Sequence, residues 1–178
     1  LDKDMAAQLF VGLVYDTGSF MYALTTPKCH RMAARLMEQG IDHSRISERI
    51  LLETPFASKR LLAAIINSLT FEAGGRLLWC ELTPALLNET GGTEDHARSA
   101  INHLIFIHGV EVAVLLKERT PTQIKVSLRS RGGVDVADFA QSLSPGGGGH
   151  ARAAGCTVQG SLSDVRKQVV AALVKHLS

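Results

Sequence analysis

Apolar positions in the first part of the chain recur at helical spacing. Met5, Leu9, Val11, Leu13 and Val14 lie in "LDKDMAAQLFVGLV" and predict a buried helix over 2–14, interrupted at "YDTGSF". "TPKCHRMAARLMEQG" predicts a second helix with Met32, Ala33, Leu36 and Met37 on its apolar face and Gly40 as its stop. "DHSRISERILLET" predicts another with Ser44 as N-cap, and "PFASKRLLAAIINSL" one more, with Pro55 in the first turn and Leu61, Leu62, Ile65, Ile66 and Leu69 spaced as a helix.

The period then changes. "LTFEAGGRLLWCEL" predicts a hairpin turning at Gly-Gly, and "VEVAVLLKERTPTQIKVSLRSRGG" two strands joined at Thr-Pro-Thr. Between them "TEDHARSAINHLIFIHG" predicts a helix capped by Thr93, with acids in its first turn and Gly109 at its end. A short helix in "VDVADFAQSL", a glycine run, a short strand in "CTVQG" and an amphipathic helix in "SLSDVRKQVVAALVKHL" complete the chain. The expected fold class is α+β, with a small mixed-sheet domain over 71–178 preceded by a helical connector over 41–70 and an all-helical segment over 1–40.

Composition narrows the class. The 178 residues are 46% hydrophobic, 5% aromatic and 20% charged, so the core must be aliphatic. A net charge of +2 is too small for a long-duplex binder, although a local basic cluster can hold a short nucleotide. Cys29, Cys80 and Cys156 are odd in number, far apart and form no CxxC, as expected of reduced thiols in the cytoplasm. No stretch approaches the roughly 20 apolar residues of a bilayer span, so no membrane partner is expected. The chain begins at Leu1 inside a predicted helix, which leads us to expect an excised piece of a longer protein.

Candidate chemistry concentrates in "SPGGGGHARAAG", positions 144–155. Glycines open backbone conformations closed to other residues, and successive N–H groups can converge on an anion as a nest. His150 and Arg152 would add donors at its rim. A structural turn and a flexible linker remain alternatives. The stretch lacks the Gly-Lys-Ser/Thr of a Walker loop and the spacing of a dinucleotide fingerprint. Upstream, Lys125, Ser127, Arg129 and Arg131 alternate, which puts them on one face of a strand. That face is either the charged flank of an edge strand or one that meets an anion. Asp16 in "YDTGSF" suits a metal ligand, but a lone Asp is more often an Asx turn or cap. The histidines at 30, 43, 96, 103, 108 and 176 have no spaced ligand partners and are expected at the surface.

In this order and spacing, "YDTGSFMYALTTP", "KVSLRSRGGVDVADFA" and "PGGGGHARAAG" resemble the C-terminal portion of the DHH phosphoesterase superfamily, in its nanoRNase and pAp-phosphatase branch related to RecJ-type exonucleases. The resemblance implies a catalytic domain with two metal ions, usually manganese, and a smaller DHH-associated domain that binds substrate. It makes Asp16 a metal ligand. It places Arg129, Ser130, Gly146, Gly147, Gly148, Gly149 and His150 in substrate binding, and Thr25 and Thr26 in a segment of looser role. Tyr15 stands where many relatives carry a threonine. No Asp-His-His is present. The resemblance thus implies that 1–40 ends the catalytic domain, that no catalytic set is complete and that this chain alone binds no manganese. The implied substrates are short single-stranded RNA or DNA and 3'-phosphoadenosine 5'-phosphate, and the arrangement leaves room for a homodimer. A non-catalytic nucleotide-binding module and a cyclic-dinucleotide phosphodiesterase or sensor stand as alternatives.

Overall fold

A computed structural model describes all residues from Leu1 to Ser178. The chain divides into two compact units, Leu1–Thr54 and Pro55–Ser178.

The first unit is three helices: α1 (Lys3–Asp16), α2 (Pro27–Met37) and α3 (His43–Leu51). Ala6, Phe10 and Val14 recur every four residues on α1 and pack with Ala33, Leu36 and Ile41. The expectation that Met5, Leu9 and Val11 are buried fails, since all three are exposed. In a unit of three helices only one stripe of α1 has partners. Asp42, not Ser44, caps α3, its carboxylate accepting from the Arg45 N–H at 2.9 Å. The helix α1 stops where the sequence suggested. Thr17, buried, donates its hydroxyl to the Leu13 carbonyl at 2.6 Å and accepts from the Phe20 N–H at 3.1 Å. Gly18, Ser19 and Phe20 then follow one another in left-handed backbone, with φ of 55°, 57° and 67°.

The second unit is built on a six-stranded mixed sheet. Its strands are β1 (Thr70–Glu72), β2 (Leu77–Leu82), β3 (Val112–Thr120), β4 (Gln123–Ser130), β5 (Gly148–His150) and β6 (Ala153–Gln159), in the order β1-β2-β3-β4-β6-β5. Only β2 and β3 run parallel, as a connection through helices requires. That connection holds α5 (Pro84–Thr90), which the sequence pattern had not revealed, and α6 (Glu94–Leu104). Helix α6 carries the expected Thr93 cap but ends five residues before Gly109, which lies in the following turn at φ 84°. The remaining helices are α4 (Phe56–Asn67), α7 (Val136–Leu143) and α8 (Leu162–Leu177). The residues expected as one connector part company here. Helix α3 packs on α1, and α4 packs on α5, α6 and β2.

Alternation decides what each face of the sheet meets. Val112, Val114, Leu116, Ile124, Val126 and Leu128 face α7 and α8, and α8 answers with Val165, Val169, Leu173 and Leu177. On the other face Leu78, Cys80, Ala113 and Leu115 meet Leu61 and Ile65 of α4 and Ala97 and Ile101 of α6. This second helical layer lies on β2 and β3. The outward residues of β4 and β6, namely Lys125, Ser127, Arg129, Ala153, Gly155 and Thr157, are all half-exposed.

Cys80 lies wholly inside the second cluster, where burial, and secondarily Glu81, push its thiol from 9.0 up to about 12. Above pH 9 the unfolded chain gives up this proton while the fold retains it. The unfolded state then binds fewer protons, so stability falls as pH rises. Thermal melting is expected to show declining stability from about pH 9 toward pH 12. Cys80→Ala is expected to make the decline shallower.

Candidate phosphate-binding site

Arg129 belongs to β4, and β4 is an interior strand between β3 and β6. The edge-strand reading of its charges is therefore excluded. The Arg129 guanidinium is half-buried, donating from Nε to Asn102 Oδ1 on α6 at 2.8 Å and from Nη1 to the Leu128 carbonyl at 2.8 Å. It has no carboxylate partner within salt-bridge distance. Burial, and secondarily the charge of Arg98, pull its pKa below the ordinary value. A guanidinium aimed by a neutral amide and left without a counter-ion is prepared to form a bidentate pair with an oxyanion.

The register sets its neighbours. Arg129 lies opposite Ala153 on β6, and Ala153 opposite His150 on β5. Directly opposed residues share a face, so Arg129 and His150 stand on the same side of the sheet with only a methyl group between them. Two strand spacings separate them, about 10 Å. The next row on this face is Ser127, Gly155 and Gly148. The result is an open floor of small residues with a guanidinium on one side and an exposed imidazole on the other.

The glycine run is neither a linker nor the nest of left-handed residues we expected. It forms a turn and then the edge strand β5, and Gly146, Gly147 and Gly148 have no positive φ. Only Gly149 does, at 144°. Steric demand explains two of the four. A Cβ on Gly147 would lie 2.1 Å from the Ala140 carbonyl oxygen of α7, and one on Gly149 2.5 Å from the Ala153 carbonyl oxygen. Gly146 faces open space, and a Cβ on Gly148 would make only an ordinary contact with Gln141 Nε2, at 4.0 Å. The glycines thus let β5 lie flush on α7 and β6, and as an edge strand it keeps an outer row of backbone groups free for a ligand.

Other candidates fall elsewhere. Ser130 follows Arg129 but points to the opposite face, is buried, and accepts from the Gly132 N–H at 3.1 Å. Arg131 lies beyond the end of β4 and stacks over Phe106, 5.5 Å from the ring centroid. Asp16 is the exposed last residue of α1 in the first unit and makes no hydrogen bond or ion pair. No group of three or more ligating side chains is assembled in the chain. These residues do not fit a two-metal centre by themselves. Thr26 caps α2 in a box with Cys29, and Thr25 keeps a buried hydroxyl without a partner. Of the histidines, His96 closes the Thr93 cap, His30 stacks on Phe20, and His43 and His176 meet Phe10 and Phe139 edge-on.

Sequence reasoning missed Asn102, Phe106 and Arg98. All three lie in or just after α6, where they read as ordinary helix positions. Only the packing of α6 beside β4 brings Asn102 and Arg98 to Arg129, and Phe106 to Arg131.

The fold and this row of residues define an α+β domain with an open sheet face that carries a guanidinium and an imidazole. The DHHA1 domain family matches residues 74–177, and the chain belongs to that family, as the DHH-associated portion of the nanoRNase branch of the DHH superfamily. It is 33% identical over 176 residues to the bifunctional oligoribonuclease and PAP phosphatase NrnA of Thermus thermophilus, covering 98% of this chain and 52% of that protein. It is 27% identical over 158 residues to the NrnA of Bacillus subtilis, covering 89% of this chain and 49% of that one. The chain therefore spans about half the length of the curated relatives it matches. The crystal structure of an exopolyphosphatase-related protein from Bacteroides fragilis shares the fold, with a TM-score of 0.85 at 23% identity over 99% of this chain and 52% of that one. No helix is long and apolar enough to cross a membrane.

Proposed function

We propose that this chain is the substrate-binding portion of a manganese-dependent phosphoesterase that acts on short oligoribonucleotides or on 3'-phosphoadenosine 5'-phosphate. The observation that carries the reading is the cross-strand row Arg129, Ala153, His150 on a sheet face that the helices leave open. Arg129 takes two oxygens of one phosphate through its fork. His150 adds a directional hydrogen bond from the far side of the small floor, and the edge of β5 offers backbone N–H groups. The relatives named above as oligoribonuclease and PAP phosphatase support the substrate class.

In the whole protein, two divalent ions would activate a water and stabilise charge on the phosphoryl group. Asp16 would be one ligand, and the others would come from residues outside this chain. The task of the residues present is positioning. Holding a phosphate in reacting geometry can lower a barrier by roughly 7–11 kcal/mol in well-oriented cases.

Calorimetric titration tests the reading. The chain is expected to bind 3'-phosphoadenosine 5'-phosphate and a short oligoribonucleotide, and to release neither adenosine monophosphate nor shorter products with manganese present. No binding of either ligand would refute the proposed function. A tight stoichiometric manganese site, or turnover that persists through purification, would refute the assignment of the metal chemistry to other residues.

Phe106 is 67% exposed, and it follows α6 one helical turn after Asn102, the partner of Arg129. Arg131 lies over its ring, which leaves the other ring face for a base. Stacking on an aromatic is worth roughly 1–3 kcal/mol per base. Phe106→Ala is therefore expected to weaken nucleotide binding by at least about fivefold while leaving inorganic phosphate binding unchanged. Equal affinities of the variant and the parent for nucleotide would exclude stacking.

A further inference from the structure

We propose that the cleft between α6 and β4, walled by Arg98, Lys125 and Ser127 and floored by Lys117, whose ammonium the exposed Glu94 holds, is a second phosphate subsite. It would take another phosphate of the same single-stranded oligonucleotide that Arg129 holds. The inference rests on the reading of Arg129 as a nucleotide phosphate ligand.

Charge makes the first case. Arg98, Lys117, Arg119 and Lys125 converge here. Glu94 is already committed to Lys117, and Asp95 makes only an exposed pair with Arg98 at 3.3 Å. Lys125 has no carboxylate within salt-bridge distance. Burial, followed by the charges of Arg119, Arg98 and Lys117, lowers its pKa, and Glu94 opposes this only in part. Arg98 presses on Arg129 in the same sense. Lys125 and Arg119 keep no carboxylate partner, and an anion that enters the cleft offsets the repulsion among these cations.

Shape makes the second. The cleft is a formed hollow that Ile101 and Leu115 also line. Its floor is fixed, because Lys117 is only 8% exposed and its ammonium is held by Glu94 at the start of α6. A buried, paired lysine builds a wall, whereas a cluster of surface lysines would move.

Spacing makes the third, and it selects the occupant. Lys125 and Arg129 share a face of β4, four residues apart, which is about 13 Å along a strand. That is close to four stacking steps at about 3.4 Å each, the span from the first to the fifth phosphate of a stacked strand. Ser127, with Gly155 opposite it, lies between the two cations and leaves the path clear. A mononucleotide reaches one end of this path, and an oligonucleotide reaches both.

Fluorescence anisotropy with 3'-phosphoadenosine 5'-phosphate and with a 5'-phosphorylated pentaribonucleotide, at several salt concentrations, tests the subsite. Lys125→Ala and Arg98→Ala are each expected to weaken pentanucleotide binding about tenfold, as for the loss of a hydrogen bond to a charged group. Each should also reduce the salt dependence by about 0.7 in log K per log salt. Affinity for the bisphosphate should stay within about twofold of the parent, since it does not reach the cleft. Lys125→Met, which keeps the packed stem, should behave as Lys125→Ala, and melting curves exclude misfolding. Arg129→Ala should weaken both ligands. If Lys125→Ala, Lys125→Met and Arg98→Ala bind the pentanucleotide as the parent does while Arg129→Ala weakens both ligands, the second subsite is overturned and the reading of Arg129 stands. If the Lys125 variants weaken both ligands equally, the cleft is part of a single phosphate site and the subsite is again overturned. If the parent binds neither ligand, the proposed function itself fails.

Discussion

Arg129→Ala is expected to weaken nucleotide binding by about ten- to a hundredfold and to leave the melting temperature unchanged or slightly raised. Hydrogen bonds to charged groups are worth roughly 1.5–3 kcal/mol, and about 1.4 kcal/mol is a factor of ten. The stability forecast follows from what Arg129 touches. Its partners are a neutral amide, Asn102, and one backbone carbonyl, and no carboxylate loses its counter-ion when the guanidinium is removed. Arg98, which repels it, is relieved. Arg129→Lys should recover only part of the affinity, because an ammonium is a point charge without a fork. His150→Ala should cost less, since the imidazole is exposed and contributes one hydrogen bond. Nucleotide titration beside thermal melting separates the outcomes. A cooperative loss of folding in Arg129→Ala would make this arginine a structural residue and remove the centre of the proposed site.

Gly147→Ala is expected to destabilise the second unit more than alanine at Gly146 or Gly148. Its new methyl group would lie 2.1 Å from the Ala140 carbonyl oxygen and 3.0 Å from Cys156 Cβ. The first obstacle is backbone and cannot rotate away, so α7 must lift from β5 and β6. Overpacking of this kind costs typically 1–3 kcal/mol and sometimes more, a fall of about 4 °C per kcal/mol for a domain between the 60–100 and 150–250 residue classes. Gly149→Ala should also be costly, with φ at 144° and the Ala153 carbonyl 2.5 Å away. Gly148→Ala should melt with the parent, because the position has no positive φ and a methyl group there meets only Gln141 Nε2, at 4.0 Å. A scan of the four alanine variants by differential scanning calorimetry decides the matter. Parental melting of Gly147→Ala would show that α7 is not held against the glycine run.

Periodicity was enough for most of the elements of the second unit. The alternation over 123–130, the four-residue spacing of Val165, Val169, Leu173 and Leu177, and the cap at Thr93 are local in origin, so local pattern reveals them. It failed at α5, a helix of seven residues too short to show a period, and at α1, where the apolar residues outnumber the positions that find partners. The motif "KVSLRSRGG" likewise showed four polar residues at alternate positions, but neither how far the strand runs nor what lies beside it.

What the sequence by itself determined here is chemical: an aliphatic α+β chain, a guanidinium and an imidazole near a glycine run, and a resemblance that assigns them to phosphate. Those properties belong to residue types and short spacings. The tertiary structure decided which of them meet. Sheet order makes β4 an interior strand, and strand register sets Arg129 and His150 in one row with Ala153 between them. Alternation sends Ser130 to the other face, although it adjoins Arg129 in sequence. The crossover of α6 brings Asn102 and Arg98 beside β4 from about thirty residues upstream. Register and helix placement depend on the burial of both faces of the sheet at once, a sum over distant residues that no short stretch of the chain contains.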